Sequence, residues 1–243
     1  MSDTCKPCDS IMSDIPPAVQ ESRLRWEKNA DYWDARMGDE SNTFHREIVR
    51  PHTEELLDLR KGDRVLDIAC GTGNFSERLA ENGADVVAFD FSETMIGHAK
   101  RRRTAHSDKI EFHVCDATDF DRLICLKKDR AFDKAVANMA VMDIADIVPL
   151  FRAVSEMIKP GGIFVFSTHH PCFVKPEGKY LSSCIHEGEA IVGQPLKQFY
   201  FHRPLGEILR TGFAAGFVVD GFFEEPDNDK EFPVIVIVRM RRT

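Results

Sequence analysis

Two glycines and three aspartates, set in or just after short apolar runs, are the part of this sequence best suited to chemistry. Val65-Leu66-Asp67-Ile68-Ala69-Cys70-Gly71-Thr72-Gly73-Asn74-Phe75-Ser76 reads as a buried strand, a tight glycine turn and the start of a helix. Glycine lets a backbone approach a ligand closely, and a helix N-terminus offers unpaired N–H groups. A dinucleotide fingerprint carries a third glycine for helix packing. Ser76 holds that position here, which counts against a nicotinamide oxidoreductase. Asp90 closes the next apolar run, where a carboxylate can accept two hydrogen bonds from a ribose diol. Asp116 ends the third run after Cys115, placed to accept from an exocyclic adenine amine, and Ala117 beside it offers a backbone N–H. Together these positions describe a nucleoside site.

The elements that must hold such a site follow from the hydropathy rhythm. Residues 64–70, 84–90, 110–116, 132–138 and 163–168 are short apolar runs separated by helical patterns. That alternation builds a parallel sheet through right-handed crossovers, here of five strands. The clearest helix spans 144–158, where Ile147, Leu150, Phe151, Val154 and Met157 form one stripe before Pro160-Gly161-Gly162 stops it. Residues 217–223 and 232–240 are two strands joined by the polar loop 224–231, a hairpin. Its second strand is apolar without a break and would be an aggregation hazard on an edge. It is therefore expected inside the sheet beside the fifth strand, leaving the edge to its partner.

With these elements in place, Asp67 to Gly73, Asp90, Asp116-Ala117 and the Lys159-Pro160-Gly161-Gly162 turn resemble the class I S-adenosylmethionine-dependent methyltransferases of small molecules. The similarity covers about residues 60–168, and the terminal hairpin also fits that family's sheet. The resemblance implies an α/β, Rossmann-like, seven-stranded mixed sheet: five parallel strands plus a C-terminal antiparallel hairpin, with helices on both faces. It implies that Asp67 and the backbone from Ala69 through Cys70 and Gly71 to Gly73 serve the methionine part of S-adenosylmethionine. Asp90 would serve the ribose, Asp116 and Ala117 the adenine, and Asn138 would face the methionine part and the sulfonium, with Phe91, Met95 and Met139 also at the cofactor. S-adenosylhomocysteine would be the product. Ala69 stands where the family most often has glycine, a substitution that still permits close approach. Ser92 reads as a helix N-cap, and Asp143 as the opener of the helix that follows it.

Between the fifth strand and the helix near Pro204 lie roughly 35 residues, against 2 to 6 in most such connections. An insertion there, at the carboxyl end of a parallel sheet, is where a substrate lid belongs. It carries His169-His170-Pro171-Cys172-Phe173, Tyr180, His186 and Phe199-Tyr200-Phe201-His202. An N-terminal helix over 21 to about 36, with Trp26, Ala30 and Trp33 on one face, is expected to meet this segment above the cofactor. Trp33, His169 and Tyr200 are the expected pocket residues. His169, His170 and His202 are the imidazoles available as bases for an oxygen or nitrogen acceptor, and His170 and His202 are the candidates among them.

Residues 1–20 lack periodicity and read as a mobile tail, with Cys5 and Cys8 too isolated for a zinc site. No metal is expected. Residues 21–243 read as one domain: a cap segment at 21–50, the cofactor core at 60–168, the lid at 169–202, and a terminal helix with the hairpin at 203–243. A net charge of −8 and the lack of an Asn-Pro-Pro-aromatic motif after the fourth strand disfavour nucleic acid as a partner. The basic run Lys100 to Arg103 reads as a solvated cluster at a helix C-terminus. Seven cysteines scattered through the chain suit reduced thiols, and no segment reads as a signal or membrane span, so a cytoplasmic monomer or homodimer is expected. A cofactor-binding regulator, or a catalyst of a non-methylating reaction on the same fold, is the competing function.

Overall fold

In the computed structural model, which describes residues 17–174, 179–226 and 231–243, strand order accounts for the hydropathy of every run. The strands are β1 (Arg64–Ile68), β2 (Asp85–Asp90), β3 (Ile110–Val114), β4 (Phe132–Ala137), β5 (Ile158–His169), β6 (Cys184–Gly188), β7 (Gln198–His202), β8 (Phe217–Pro226) and β9 (Pro233–Arg242). Seven of them form one sheet in the order β3-β2-β1-β4-β5-β9-β8, and β6 and β7 pair separately. The first five are parallel, and β9 joins β5 and β8 antiparallel. The helices are α1 (Pro17–Met37), α2 (Arg50–Leu57), α3 (Asn74–Glu81), α4 (Glu93–Arg102), α5 (Phe120–Cys125), α6 (Val148–Met157) and α7 (Leu205–Ala214).

Side chains alternate across a strand, so each buried strand feeds two cores. Leu66, Ile68, Phe89, Phe164 and Phe166 share one core with Leu123, Phe151, Val154 and Ile208, contributed by α5, α6 and α7. Val65, Val86 and Val165 join Leu57 and Leu79, from α2 and α3, in the other. The unbroken run in β9 has the same cause. Val236, Val238 and Met240 enter the first core, and Ile235 and Ile237 the second. Phe151 packs edge-on to Phe164 and Phe166 at 5.2 and 5.7 Å, and truncating such a ring to alanine costs roughly 3–5 kcal/mol.

The structure differs from the sequence expectations in several places. α1 starts at Pro17 rather than 21, proline being at home in a first helical turn. The remainder of the expected tail, with Cys5 and Cys8, lies outside the described residues. α6 starts at Val148 rather than 144, because Asp146 Oδ1 accepts the Val148 N–H at 2.9 Å and Pro149 occupies the first turn. Ile158 opens β5 instead of ending the helix. The connection 169–202 is not strandless: β6 and β7 form a hairpin within it, Gly188 opposite Gln198 and His186 opposite Tyr200.

The basic run is not simply solvated. Arg102 forms a two-pronged pair with Asp34 at 2.6 and 2.8 Å, and Arg103 is fully buried. Its guanidinium donates to the carbonyls of Thr72, Asp39 and Gly38 and pairs with Glu77 at 2.6 Å. These contacts fasten the end of α1 to the glycine turn. On its other side α1 meets the β6–β7 segment. Asn29 exchanges two hydrogen bonds with the backbone of Leu196, and Arg25 pairs with Glu187 at 2.7 Å.

Candidate functional site

Parallel pairing brings the carboxyl ends of β1, β2 and β4 level, and the turns that leave them open into a cavity of about 320 Å³. Two residues at this rim have left-handed backbones without being glycine: Ala69 at φ 52° after β1 and Met139 at φ 52° after β4. Each costs on the order of 1–2 kcal/mol, strain of the kind that gathers at ligand clamps. The Met139 N–H is held by Ser167 Oγ at 2.7 Å, and that hydroxyl donates to Asn138 Oδ1 at 2.9 Å. Gly73, at φ 73°, caps α3, and a Cβ there would come within 2.9 Å of Phe112.

Three strand-end carboxylates line the cavity. Asp67 lies on the β1 face turned toward α3 and takes a 2.5 Å hydrogen bond from Ser76 Oγ. Ser76 thus does more than replace a glycine. Burial pushes the Asp67 carboxyl up to about 7, against the pull of that hydroxyl. Asp90 accepts the N–H groups of Gly71 and Ser92, each at 2.9 Å, and burial raises it to about 6. Asp116 Oδ1 accepts from the Thr118 N–H and hydroxyl at 2.8 Å. Ser92 is an N-cap as expected, its oxygen accepting the Met95 N–H at 3.0 Å.

Of the residues chosen from sequence for the cofactor, Asp67, Ala69, Cys70, Gly71, Asp90, Phe91, Met95, Asp116, Ala117, Asn138 and Met139 all line this cavity. Gly73 stands behind the wall and shapes the turn, its N–H donating to the Cys70 carbonyl at 2.9 Å. Trp33, His169 and Tyr200 also line the cavity, with the Trp33 Nε1 facing Gly71 and the His169 ring 4.9 Å from that of Tyr200. Burial lowers His169 to about 4, with His186 adding to the effect.

The two candidate bases are not on the wall of this cavity, a correction to the sequence reading. His170 is buried against the hairpin, with Nε2 2.7 Å from Glu224 Oε1 and Nδ1 accepting the Cys172 N–H. His202 Nε2 meets the Tyr180 carbonyl at 2.9 Å. His169 and His170 separate because adjacent residues on an extended chain point to opposite sides.

The sequence reading missed His45 and misassigned Asp143. His45 stands in a π-helical segment, Phe44–Val49, a rare geometry that recurs at functional sites. Its Nδ1 lies 2.9 Å from Asn42 Oδ1, its ring is edge-on to Trp33 at 5.9 Å, and burial, with Arg50 nearby, lowers it to about 4. No periodic pattern marks a π-helix in advance. Asp143 does not open α6. It ends a short 3₁₀ turn, Val141–Asp143, on the cavity wall, where Oδ1 accepts from Gln198 Nε2 at 3.2 Å.

A mostly parallel sheet of this order, with a glycine turn and strand-end acids around one cleft, defines the Rossmann-like class I methyltransferases. The chain belongs to the methyltransferase-domain family, whose model matches residues 59–200. It is 40% identical over 112 residues to a demethylmenaquinone methyltransferase of Clavibacter sepedonicus, a match covering 44% of this chain and 42% of that one. It is 30% identical over 159 residues to a phosphoethanolamine N-methyltransferase of Triticum aestivum, covering 63% of this chain and 30% of that one. The chain therefore spans less than half the length of these relatives. Its fold matches magnesium protoporphyrin IX methyltransferase from Synechocystis PCC 6803, solved with bound S-adenosylhomocysteine, at a TM-score of 0.64 and 16% identity. That match covers 93% of this chain and 100% of that one. Among the described residues no helix is long and apolar enough to cross a membrane, and no group of three or more His, Cys, Asp or Glu could hold a metal ion.

Proposed function

We propose that the protein transfers the methyl group of S-adenosylmethionine to an oxygen or nitrogen atom of a small-molecule metabolite. The carrying observation is that one cavity is lined both by the strand-end carboxylates and by aromatic and imidazole side chains, so that cofactor and acceptor would share one space. The donor set fits the cofactor. Asp90 keeps lone pairs for the ribose diol, Asp116 Oδ2 and the Ala117 N–H suit adenine, and the Ala69 to Gly71 backbone with Asn138 suits the methionine part.

The cofactor brings a carbon already activated by a sulfonium, and the chain's task is to hold the acceptor in line with it and keep water out. α1 and the 169–202 connection supply the cover, with Trp33 from one and His169 and Tyr200 from the other. His45 and His169 take over the role of candidate bases from His170 and His202. Burial lowers both imidazoles to about 4, so they are neutral at physiological pH and weak bases, taking a proton only as bond formation makes the acceptor strongly acidic.

The test is calorimetry with S-adenosylmethionine, then turnover to S-adenosylhomocysteine across a metabolite library. Binding followed by product formation is expected. Tight binding with no product from any acceptor would favour a non-methylating role instead.

A further inference from the structure

We propose that the methyl acceptor is an amine, which docks as a cation against Asp143 and the aromatic rings of the same wall; this rests on the methyl-transfer reading above. With Asp67, Asp90 and Asp116 given to the cofactor, the charged side chains left on the cavity wall, histidines apart, are Asp143, Glu189 and Arg50. Glu189 is exposed, and Arg50 donates to the Glu40 carbonyl. Asp143 is different. It is set on a 3₁₀ turn five residues past Asn138 and is held from β7 by Gln198, which engages Oδ1. No hydrogen bond to Oδ2 is present among the described residues, and the charge that acts on the carboxyl is Asp90, of the same sign.

Asp143 is half-buried, and desolvation pushes its carboxyl well above the usual carboxylate range, so that a neighbouring cation favours its ionised form. A protonated amine supplies the missing charge. Trp33, Phe44 and Tyr200 line the same cavity and can add the quadrupole attraction that aromatic rings offer an ammonium group. An alcohol can hydrogen-bond the carboxyl but brings no charge to offset its ionisation, and a carboxylate brings charge of the wrong sign.

The same residue favours the chemical step. The bound ammonium first gives up one proton to solvent, because burial lowers both cavity imidazoles, His45 and His169, to about 4 and makes them weak acceptors for it. The nitrogen lone pair then forms the N–C bond as the C–S bond breaks and its electron pair passes to sulfur. Positive charge moves from sulfur to nitrogen and ends beside Asp143, so the carboxylate stabilises the transition state more than the free reactants.

The experiment gives the protein methyl-labelled S-adenosylmethionine and a set of alkyl and arylalkyl amines, each paired with the alcohol and carboxylic acid of the same skeleton. The label is expected on amine nitrogen. Asp143→Asn should lower kcat/KM on the order of 100-fold with the melting temperature kept, because one partner of an enclosed charge pair is lost. Affinities for S-adenosylmethionine and S-adenosylhomocysteine should both stay within about threefold. Labelling of alcohols or acids at rates that Asp143→Asn leaves unchanged would overturn the amine assignment and leave methyl transfer standing. Selective loss of S-adenosylmethionine over S-adenosylhomocysteine binding would overturn it too, making Asp143 the partner of the sulfonium. If cofactor binds and no label leaves it for any acceptor, the methyl-transfer reading fails and the amine assignment with it.

Discussion

The backbone N–H of Gly71 donates to Asp90 Oδ2 across 2.9 Å, so the glycine turn after β1 and the carboxylate that ends β2 form one unit. The other oxygen is held by the Ser92 N–H. The carboxylate is thus oriented before any ligand arrives. Asp90→Ala should weaken S-adenosylmethionine binding by about 2–4 kcal/mol, the value of two hydrogen bonds to a charged acceptor. Unchanged affinity in calorimetry, with the fold intact, would remove the ribose assignment.

Cofactor affinity should also depend on pH through this residue. Burial raises the folded Asp90 to about 6, above the roughly 3.9 of an unperturbed aspartate. Between these values the native state binds more protons than the unfolded one. The stability this group contributes is therefore present at low pH and lost as pH rises through about 6. A ribose diol needs the ionised form, so S-adenosylhomocysteine affinity should climb with pH and level off above about 6. Asp90→Asn should flatten the climb. A flat profile in the unaltered protein would contradict this account.

Arg103 joins four groups from two segments, and its removal leaves the half-buried Glu77 carboxylate and three carbonyls without their donor. Arg103→Ala should cost roughly 3–5 kcal/mol of unfolding free energy in denaturant titration, the range for breaking a buried ion pair. It should also weaken cofactor binding by loosening the Thr72 turn. A variant of ordinary stability would mean that α1 is fastened by its other contacts.

His170 and His45 should fail in opposite ways. His170→Ala removes a buried hydrogen-bonded ring from between β5 and β8 and should destabilise by about 2 kcal/mol, with cofactor affinity unchanged. His45→Ala should leave cofactor affinity nearly constant and lower turnover on the order of 100-fold, as expected for lost general-base assistance. Reversed outcomes, read by melting curves and steady-state kinetics, would return the base assignment to His170.

How much was legible in sequence follows from the range of the forces involved. Strand positions, the interior place of β9 and the gathering of Asp67, Asp90, Asp116 and Asn138 at one rim depend on hydropathy period and strand-end position. Both are local, and the handedness of crossovers leaves few ways to arrange the result. The acceptor side had no such signal. His45, Asp143 and Arg103 take their places from how α1 and the β6–β7 hairpin dock, through contacts such as Asn29 to Leu196 that join residues 167 positions apart. A docking surface of this kind is polar. Asn29 is buried where α1 meets the hairpin and Arg25 pairs there with Glu187, so that face left no apolar stripe to read. His169 and His170 show the limit most simply. Sequence placed both at the end of β5, and only the course of the chain there decided which imidazole reached the cavity, because a one-residue shift on an extended backbone turns a side chain to the opposite face.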